Sequence, residues 1–295
     1  MKIVVFGATG NIGSKLAHQL LDAGKTVVAV GRSADKLQDL AGKGAHLAIG
    51  DLEDASFVAH VLADADRAFV MIPPNVIAPD NLAYQAVVGD NIIAGLKASA
   101  ITQVVNLSSI AADKLDSKTG PIRGVGIQEV KLQALTNKHI VTLRPAYFFE
   151  NTLANVGTIQ GQQSVFSSNH PDQAFPAVAT HDIAAKAFEI LNAESWTNAP
   201  YIVQELFGDK HYTMKEMASA MGKFFGVDNV NYVQIPVEAF KGALLGFGLS
   251  ESMASLYAEM AEGMNEDNVF GDYNRTPENT TPTSYEAWLK ATLSK

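Results

Sequence analysis

Three glycines follow the first apolar segment of the chain at regular intervals. Lys2 to Phe6 is a run of mostly β-branched and aromatic residues, and Gly7-Ala8-Thr9-Gly10-Asn11-Ile12-Gly13 comes directly after it. Apolar residues at helical spacing, beginning with Ile12 and Leu16, continue the chain. A strand, a glycine-rich turn and a helix in this order open a doubly wound α/β fold.

The glycine-rich turn has the composition that binding of a dinucleotide pyrophosphate requires. Gly7 allows a tight turn, Gly10 allows close approach of a phosphate, and Gly13 allows the helix to pack closely on the sheet. An ordinary strand-to-helix turn is the alternative, because the first interval is one residue longer than in G-x-G-x-x-G. The flanking strand and helix favour cofactor binding. The predicted contacts are Gly7, Thr9, Gly10, Asn11, Ile12 and Gly13.

The first half of the chain alternates short apolar runs with helix-length amphipathic segments, which predicts a parallel sheet with helices on both faces. Ligands of such sheets bind at the carboxyl ends of the strands. The predicted strands are Lys2 to Phe6, Thr26 to Val30, Ala45 to Ile49, Arg67 to Ile72, Gln103 to Leu107 and His139 to Leu143. The predicted helices are Ile12 to Ala23, Asp35 to Ala41, Ala55 to Leu62, Asn81 to Ser99 and Gln128 to Thr136.

The pattern loosens after Pro145, which predicts two parts: a Rossmann-type domain at 1–150 and a smaller, mainly helical, substrate-side lobe at 151–295. A later helix and strand, at about 180–205, are expected to return to the sheet. Gln160 to Asp172 shows no regular pattern and is interpreted as a lid or flap. Thr213 and Glu216 form a capping box that opens a helix ending at Gly226.

The residues at the end of the second predicted strand distinguish NADP from NAD. A carboxylate at this position favours NAD, whereas this chain has Gly31, Arg32 and, one turn later, Lys36. Arg32 can form a planar fork around a ribose phosphate, and Lys36 adds a second positive charge. A solvated basic face is the alternative, although positive charge is slightly unfavourable at a helix start. The sequence therefore predicts NADP(H).

Asp51 and Leu52 end the third predicted strand, where the carboxylate could accept from the adenine amino group and Leu52 could pack on the ring. The alternative is that Asp51 only caps the helix that follows.

Composition limits the function further. The 295 residues carry a net charge of −9 with an estimated pI of 5.2, so the overall field repels nucleic acid and anionic membranes. The absence of cysteine excludes thiolate chemistry, and the seven histidines lack metal-ligand spacing, so no metal site is predicted. No apolar run approaches the roughly 20 residues of a membrane span. A cytoplasmic protein is expected.

Several motifs in order resemble the NmrA-like branch of the atypical short-chain dehydrogenase/reductases, a family that includes NAD(P)H-dependent quinone, azo-dye and triphenylmethane-dye reductases and also redox sensors. The resemblance covers nearly the whole chain. After the glycine-rich turn, its motifs are Gly31-Arg32-Ser33, Gly50-Asp51-Leu52, Asn106-Leu107-Ser108-Ser109, Leu143-Arg144-Pro145, Phe149-Glu150-Asn151, His181-Asp182-Ile183-Ala184 and Tyr212-Thr213-Met214-Lys215-Glu216.

This resemblance implies further cofactor contacts. Arg32 and Lys36 match the residues that hold the 2′-phosphate, and Lys131 matches a lysine at the nicotinamide ribose, although spacing alone favours a surface lysine. The remaining implied contacts are Ile72 and Pro73 along the cofactor, and Tyr147, Phe148 and Phe149 on the nicotinamide side. Ser108 ends the fifth strand, where its hydroxyl could bond to the carboxamide or instead cap a turn.

The wider superfamily uses Tyr-x-x-x-Lys, but the residue four before Lys131 is Ile127, which has no acid-base chemistry. Alcohol oxidation by that dyad is therefore disfavoured. The sequence predicts an NADPH-dependent reductase of a quinone-like or conjugated aromatic acceptor, with a non-enzymatic NADP(H) redox sensor as the alternative. No catalytic residue is assigned.

The apolar residues between Phe240 and Met264 have helical spacing. They include a stripe of methionine and aromatic side chains, which is expected to be core or a subunit interface, as in a homodimer, rather than an acceptor pocket. The stripe comprises Phe247, Met253, Leu256, Tyr257 and Met260.

Overall fold

The computed structural model of the protein describes residues 1–271 and 273–294. Within these residues a seven-stranded sheet forms the centre of the molecule, and all its neighbouring strands are parallel. The strands of the described chain are β1 (Lys2–Val5), β2 (Thr26–Gly31), β3 (His46–Ile49), β4 (Arg67–Val70), β5 (Gln103–Leu107), β6 (His139–Pro145), β7 (Tyr147–Phe148), β8 (Ser164–Ser167), β9 (Ala174–Val178), β10 (Tyr201–Leu206), β11 (His211–Thr213) and β12 (Asn231–Gln234). All six predicted strands of the first half are present.

The order of the strands across the central sheet is β10-β6-β5-β4-β1-β2-β3. The direction of winding therefore reverses between β1 and β4. In a doubly wound sheet the crevice at this reversal, at the carboxyl ends of the strands, is where a ligand binds. The glycine-rich turn follows β1 and lies at this crevice.

Helices cover both faces of the sheet. The helix α1 packs beside α7 on one face, whereas α3, α4 and α5 pack side by side on the other. The helices of the described chain are α1 (Gly13–Asp22), α2 (Gln38–Gly42), α3 (Ala55–Leu62), α4 (Asn81–Ala98), α5 (Ile122–Gln133), α6 (Val156–Gln162), α7 (Thr180–Asn192), α8 (Met214–Phe224), α9 (Val237–Gly246), α10 (Glu251–Glu266) and α11 (Tyr285–Leu293). Among them, none is long and apolar enough to cross a membrane.

The strand β1 shows why the central strands are continuously apolar. Ile3 and Val5 point into the core beneath α1 and α7, while Val4 and Phe6 point into the core beneath α3, α4 and α5. All four side chains are fully buried. A strand buried on both faces needs apolar residues at every position, which is the pattern of a parallel sheet.

The predicted start of one helix was wrong. The helix predicted at Gln128 to Thr136 begins six residues earlier, at Ile122. Its first turns contain Gly124, where a Cβ would lie 1.9 Å from Oε1 of Gln85, and Gly126, where a Cβ would lie 2.1 Å from a backbone oxygen. Close packing against α4 and the preceding loop therefore requires residues of low helix propensity, which hid the start of the helix.

The segment interpreted as an irregular lid, Gln160 to Asp172, instead contains the end of α6 and the strand β8. Its partner is the parallel strand β12, which lies more than 60 residues further along the chain. The predicted capping box is confirmed, because Thr213 accepts from the Glu216 amide at 3.0 Å and Glu216 accepts from the Thr213 amide at 2.8 Å. The apolar segment from Phe240 forms two helices, separated at Gly248 with φ +87°.

The C-terminal lobe is connected to the sheet by a cluster of aromatic side chains. Phe149 follows β7 and contacts the rings of Tyr212, Tyr285 and Trp288, with ring centroids 5.2–5.8 Å apart. Within the described residues the chain crosses between the sheet layer and the lobe three times, near Ala146, Ala179 and Phe207. The strand β10 pairs with β6 at the edge of the central sheet, and α7 packs beside α1.

Candidate functional site

The glycine-rich turn is shaped so that α1 can begin directly beneath it. Gly7 has φ +66°, which favours glycine, and a Cβ on Gly13 would lie 2.3 Å from the Gly7 carbonyl oxygen. The Ala8 amide donates to the Val30 carbonyl at 3.0 Å, which fixes the turn to β2. No side chain of the described residues caps the start of α1. The turn therefore presents the amides and positive dipole end of α1 to an anion.

The exposed part of this turn lies where a pyrophosphate would bind. Thr9, Gly10 and Asn11 are exposed, whereas Ile12 is buried beneath the start of α1. Of the predicted contacts in the turn, Ile12 can therefore act only through its backbone.

Arg32 and Lys36 lie at the carboxyl end of β2 and are both exposed. Lys36 belongs to a short 3-10 helix, Asp35–Leu37. Burial is the main cause that raises the pKa of Tyr84 to about 12, while the positive charge of Arg32 opposes this shift and Asp51 adds to it. Since β2 and β3 pair at Gly31 and Ile49, Arg32 and Asp51 follow neighbouring strands at the same edge of the sheet.

Asp51 does not cap α3. The residue that does is Asp54, whose Oδ1 accepts from the amides of Ser56 and Phe57 at 2.8 and 3.1 Å. Asp51 instead accepts from the Glu53 amide within the loop, at 3.0 Å. The alternative interpretation of Asp51 as a helix cap is thus wrong.

The loop that follows β3 is also hydrogen-bonded to α4. Asn91 of α4 donates to the carbonyls of Leu52 and Glu53, at 2.9 Å each. Leu52 is 6% exposed, so little of it is available to an adenine ring. At the end of β4, Ile72 is buried and Pro73 is half-buried, so Pro73 presents more surface to the crevice.

Lys131 forms an ion pair with the neighbouring helix α4. Its Nζ lies 2.5 Å from Oδ1 of Asp90 on α4, and about a third of the side chain is exposed. Position 129 of the same helix points in a different direction, since two residues along an α-helix turn the side chain by about 200°. Glu129 faces the ends of β5 and β6 and is 2% exposed.

Glu129 is the centre of a buried polar network that sequence analysis missed. Its carboxylate accepts from Nε and Nη2 of Arg144, at 3.0 and 2.6 Å, and from the hydroxyl of Ser108. Arg144 also contacts Asp113 at 2.9 Å. The Ser108 hydroxyl, predicted to bond to a cofactor or substrate, is thus directed to a buried carboxylate. The sequence feature that belongs to this network is Arg144 of the motif Leu-Arg-Pro, but the motif does not indicate Glu129 as its partner.

A cavity of about 580 Å³ opens beside the carboxyl ends of β5 and β6. Ser109 and Ile110 from the end of β5, and Ala146 and Tyr147 from the end of β6, form one part of its wall. The helices α9 and α10, the strands β8 and β9 and the segment 151–155 form much of the rest. None of the described residues that line the cavity is Asp, Glu, Lys, Arg or His. The site thus suits an uncharged, mostly apolar molecule.

Two parts of the sequence prediction are corrected at this cavity. Tyr147 and Phe148 line it, but Phe149 is fully buried in the aromatic cluster and cannot contact a ligand. Tyr257 and Met260, predicted to be core or interface, also line the cavity. The rest of that stripe is divided, since Met253 and Leu256 are buried and Phe247 is 83% exposed. Within the described chain, no cluster of side chains could hold a metal ion.

The fold and the crevice together define a class. A parallel sheet in this order, with a glycine-rich turn at its point of reversal, is a Rossmann-type dinucleotide-binding fold. The chain belongs to the NmrA-like family, which it matches over residues 1–289. The family resemblance inferred from the ordered motifs is thus confirmed.

Proteins of known activity are similar along most of the chain. The NAD(P)H azoreductase of Xenophilus azovorans is 27% identical over 278 residues, covering 94% of this chain and 92% of that protein. Quinone oxidoreductase 2 of Escherichia coli (strain K12) is 24% identical, covering 92% and 90%.

The fold is also shared with solved structures. An NADPH-dependent quinone oxidoreductase from E. coli, in complex with NADPH, has a TM-score of 0.81 at 21% identity and covers 99% of this chain and 100% of its own. The triphenylmethane reductase of Citrobacter sp. with NADP(H) has a TM-score of 0.76 at 18% identity and covers 99% of each chain.

Proposed function

We propose that this protein is an NADPH-dependent reductase that transfers a hydride to a quinone-like or other conjugated aromatic acceptor. The observation that carries the proposal is the uncharged cavity of about 580 Å³ at the end of the sheet where the glycine-rich turn also lies. The relatives named as azo and quinone reductases support the same chemistry.

The residues of the crevice fit NADP(H). No side chain that the structure describes caps the start of α1, so its amides are available to a pyrophosphate. A Cβ at Gly13 would clash with the turn above it, so glycine is required there. Arg32 and Lys36 are exposed and would hold the 2′-phosphate, with Asp51 toward the adenine. The proposed contacts also include Gly7, Thr9, Gly10, Asn11, Ile12, Leu52, Ile72 and Pro73, and Ser108 through its backbone, since its hydroxyl donates to Glu129. The ion pair of Lys131 with Asp90 does not favour a role for Lys131 at the ribose.

When bound, NADPH supplies the hydride. The chain contributes orientation and exclusion of water, because Ala146, Tyr147 and the α9 and α10 residues enclose the acceptor in an apolar wall. A reduced quinone is a stabilised anion that water can protonate, so no Tyr-x-x-x-Lys dyad is needed. The cavity supports turnover over the alternative of a redox sensor, for which a closed cleft is expected.

Consumption of NADPH with a panel of neutral quinones tests this proposal. We expect turnover above the non-enzymatic background, and tight NADPH binding without turnover would refute the reductase in favour of the sensor. Ala154→Trp places a bulky ring at an exposed position of the cavity wall. It should reduce turnover and leave the Kd of NADPH unchanged. Ala100→Trp is the matched control, since Ala100 is exposed and does not line the cavity.

A further inference from the structure

Two tyrosine hydroxyls at the cavity have no hydrogen-bond partner in the described part of the chain. They belong to Tyr147 of β7 and Tyr257 of α10, and both side chains line the cavity. Neither hydroxyl is among the buried, unsatisfied polar atoms of the described residues, so neither is fully enclosed. A hydroxyl that is neither enclosed nor hydrogen-bonded, on a side chain that lines a cavity, is available to a ligand in that cavity.

Three other tyrosines of the lobe have hydrogen-bonded hydroxyls, whereas the hydroxyl of Tyr273, which does not line the cavity, is buried without a partner among the residues that the structure describes. The hydroxyl of Tyr212 contacts Asp209 at 2.6 Å, that of Tyr232 donates to the Asn169 carbonyl at 2.8 Å, and that of Tyr285 contacts Thr152 at 2.7 Å. Buried polar groups are usually hydrogen-bonded. The two tyrosines at the cavity therefore differ from these three in having hydroxyls without a partner in the described chain, and from Tyr273 in lining a cavity.

We propose that Tyr147 and Tyr257 are the substrate-recognition residues of the reductase, donating hydrogen bonds to carbonyl oxygens of a flat, uncharged acceptor such as a quinone. The inference rests on the proposed function. It names the two side chains that recognise the acceptor, and it predicts that charged acceptors are excluded. Two donors on different elements suit an acceptor with oxygen atoms on opposite edges of its ring. An acceptor with a sulfonate or carboxylate would lose its hydration without gaining a cation, because no charged residue lines the cavity.

Burial raises the pKa of both hydroxyls, and the neighbouring Tyr285 and Tyr257 raise that of Tyr147 further. Both phenols are therefore neutral donors at physiological pH and do not act as bases. The ring of Tyr147 is held edge-on against Phe175, with centroids 5.3 Å apart, so its orientation is fixed before a ligand arrives.

The two tyrosines stabilise the reduced acceptor, and neither supplies the electrons or the proton. Hydride transfer would bring two electrons to the acceptor and leave negative charge on its carbonyl oxygen. A neutral phenol hydrogen bond to that oxygen stabilises the charge without giving up its proton. The proton that completes the hydroquinone comes from water, and the tyrosines are unchanged.

Calorimetric binding without NADPH separates recognition from turnover. The probes are naphthalene, naphthoquinone and naphthalene sulfonate, and a chain without cysteine has no thiol for the quinone to alkylate. We expect the wild type to bind naphthoquinone about ten-fold more tightly than naphthalene, because each net hydrogen bond contributes modestly. Naphthalene sulfonate should bind at least about ten-fold more weakly than naphthalene.

The double variant Tyr147→Phe/Tyr257→Phe keeps both rings and should lose the preference for naphthoquinone over naphthalene. Tyr232→Phe is the control, since Tyr232 does not line the cavity and its hydroxyl already donates to the Asn169 carbonyl, and it should keep the preference. A double variant that retains the preference, a wild type that lacks it, or equal binding of the sulfonate overturns the assignment. If the wild type shows the preference but never oxidises NADPH, the reductase proposal fails instead.

Discussion

Arg32 lies exposed at the end of β2, where a carboxylate would favour NAD. Replacing it with serine should raise the Kd of NADPH by about 10- to 100-fold, because a hydrogen bond to a charged group contributes roughly 1.5–3 kcal/mol. The Kd of NADH should change little, since NADH has no 2′-phosphate. Titration of both cofactors by calorimetry measures the two constants.

Lys97→Ser removes an exposed cation from the end of α4 and serves as the control. Equal losses of NADPH and NADH affinity in Arg32→Ser would show that Arg32 does not contact the 2′-phosphate.

Single residues also show where sequence analysis reached its limit. The glycine-rich turn could be predicted because its requirements are local: a strand before it, a helix after it and glycines between. Lys131 and Glu129 could not be told apart, because their roles depend on the rotation of α5 about its axis. That rotation is set by packing of Gly124 and Gly126, and it directs Glu129 to Arg144 and Lys131 to Asp90.

At the scale of elements, α8 offers a test of local structure. Thr213→Ala removes the side-chain half of the capping box that begins α8. It should lower the free energy of unfolding by about 1 kcal/mol, the typical effect of losing such a cap. Urea denaturation measures the change, and Thr102→Ala, at an exposed loop position, should have a smaller effect. An unchanged denaturation midpoint in Thr213→Ala would show that α8 is held by its packing alone.

Elements with local signals were predicted well, and elements with distant partners were not. The central strands are apolar runs bounded by turns, and these features are contained in each segment. The strand β8 has four residues, two of which are serine. Its partner β12 comes after α8 in the sequence. Nothing in its own residues indicates that partner. The cavity wall was missed for the same reason, because α9 and α10 meet β7 only in the folded molecule.

For the molecule as a whole, the aromatic cluster joins the sheet to the lobe. Phe149→Ala should lower the free energy of unfolding by about 3–5 kcal/mol, because a fully buried ring leaves a cavity. Where the variant remains folded, its Kd for NADPH should equal that of the wild type. Phe148→Ala is the adjacent comparison: it is half-buried at the cavity, so it should cost less stability and instead raise the KM of the acceptor. A large rise in the Kd of NADPH for Phe149→Ala would restore its predicted place beside the cofactor.

The three crossings of the chain between sheet and lobe, near Ala146, Ala179 and Phe207, restrict how such a protein can be recombined. The lobe and the cofactor domain are each made of separate stretches of sequence. A single crossover between two relatives therefore cannot exchange the whole lobe without also exchanging part of the cofactor domain. The segment 237–266 is different: it is continuous and supplies Phe240, Leu244, Tyr257 and Met260 to the cavity. Two breakpoints suffice to replace it, so this helical pair is the natural module for exchanging acceptor preference between homologues.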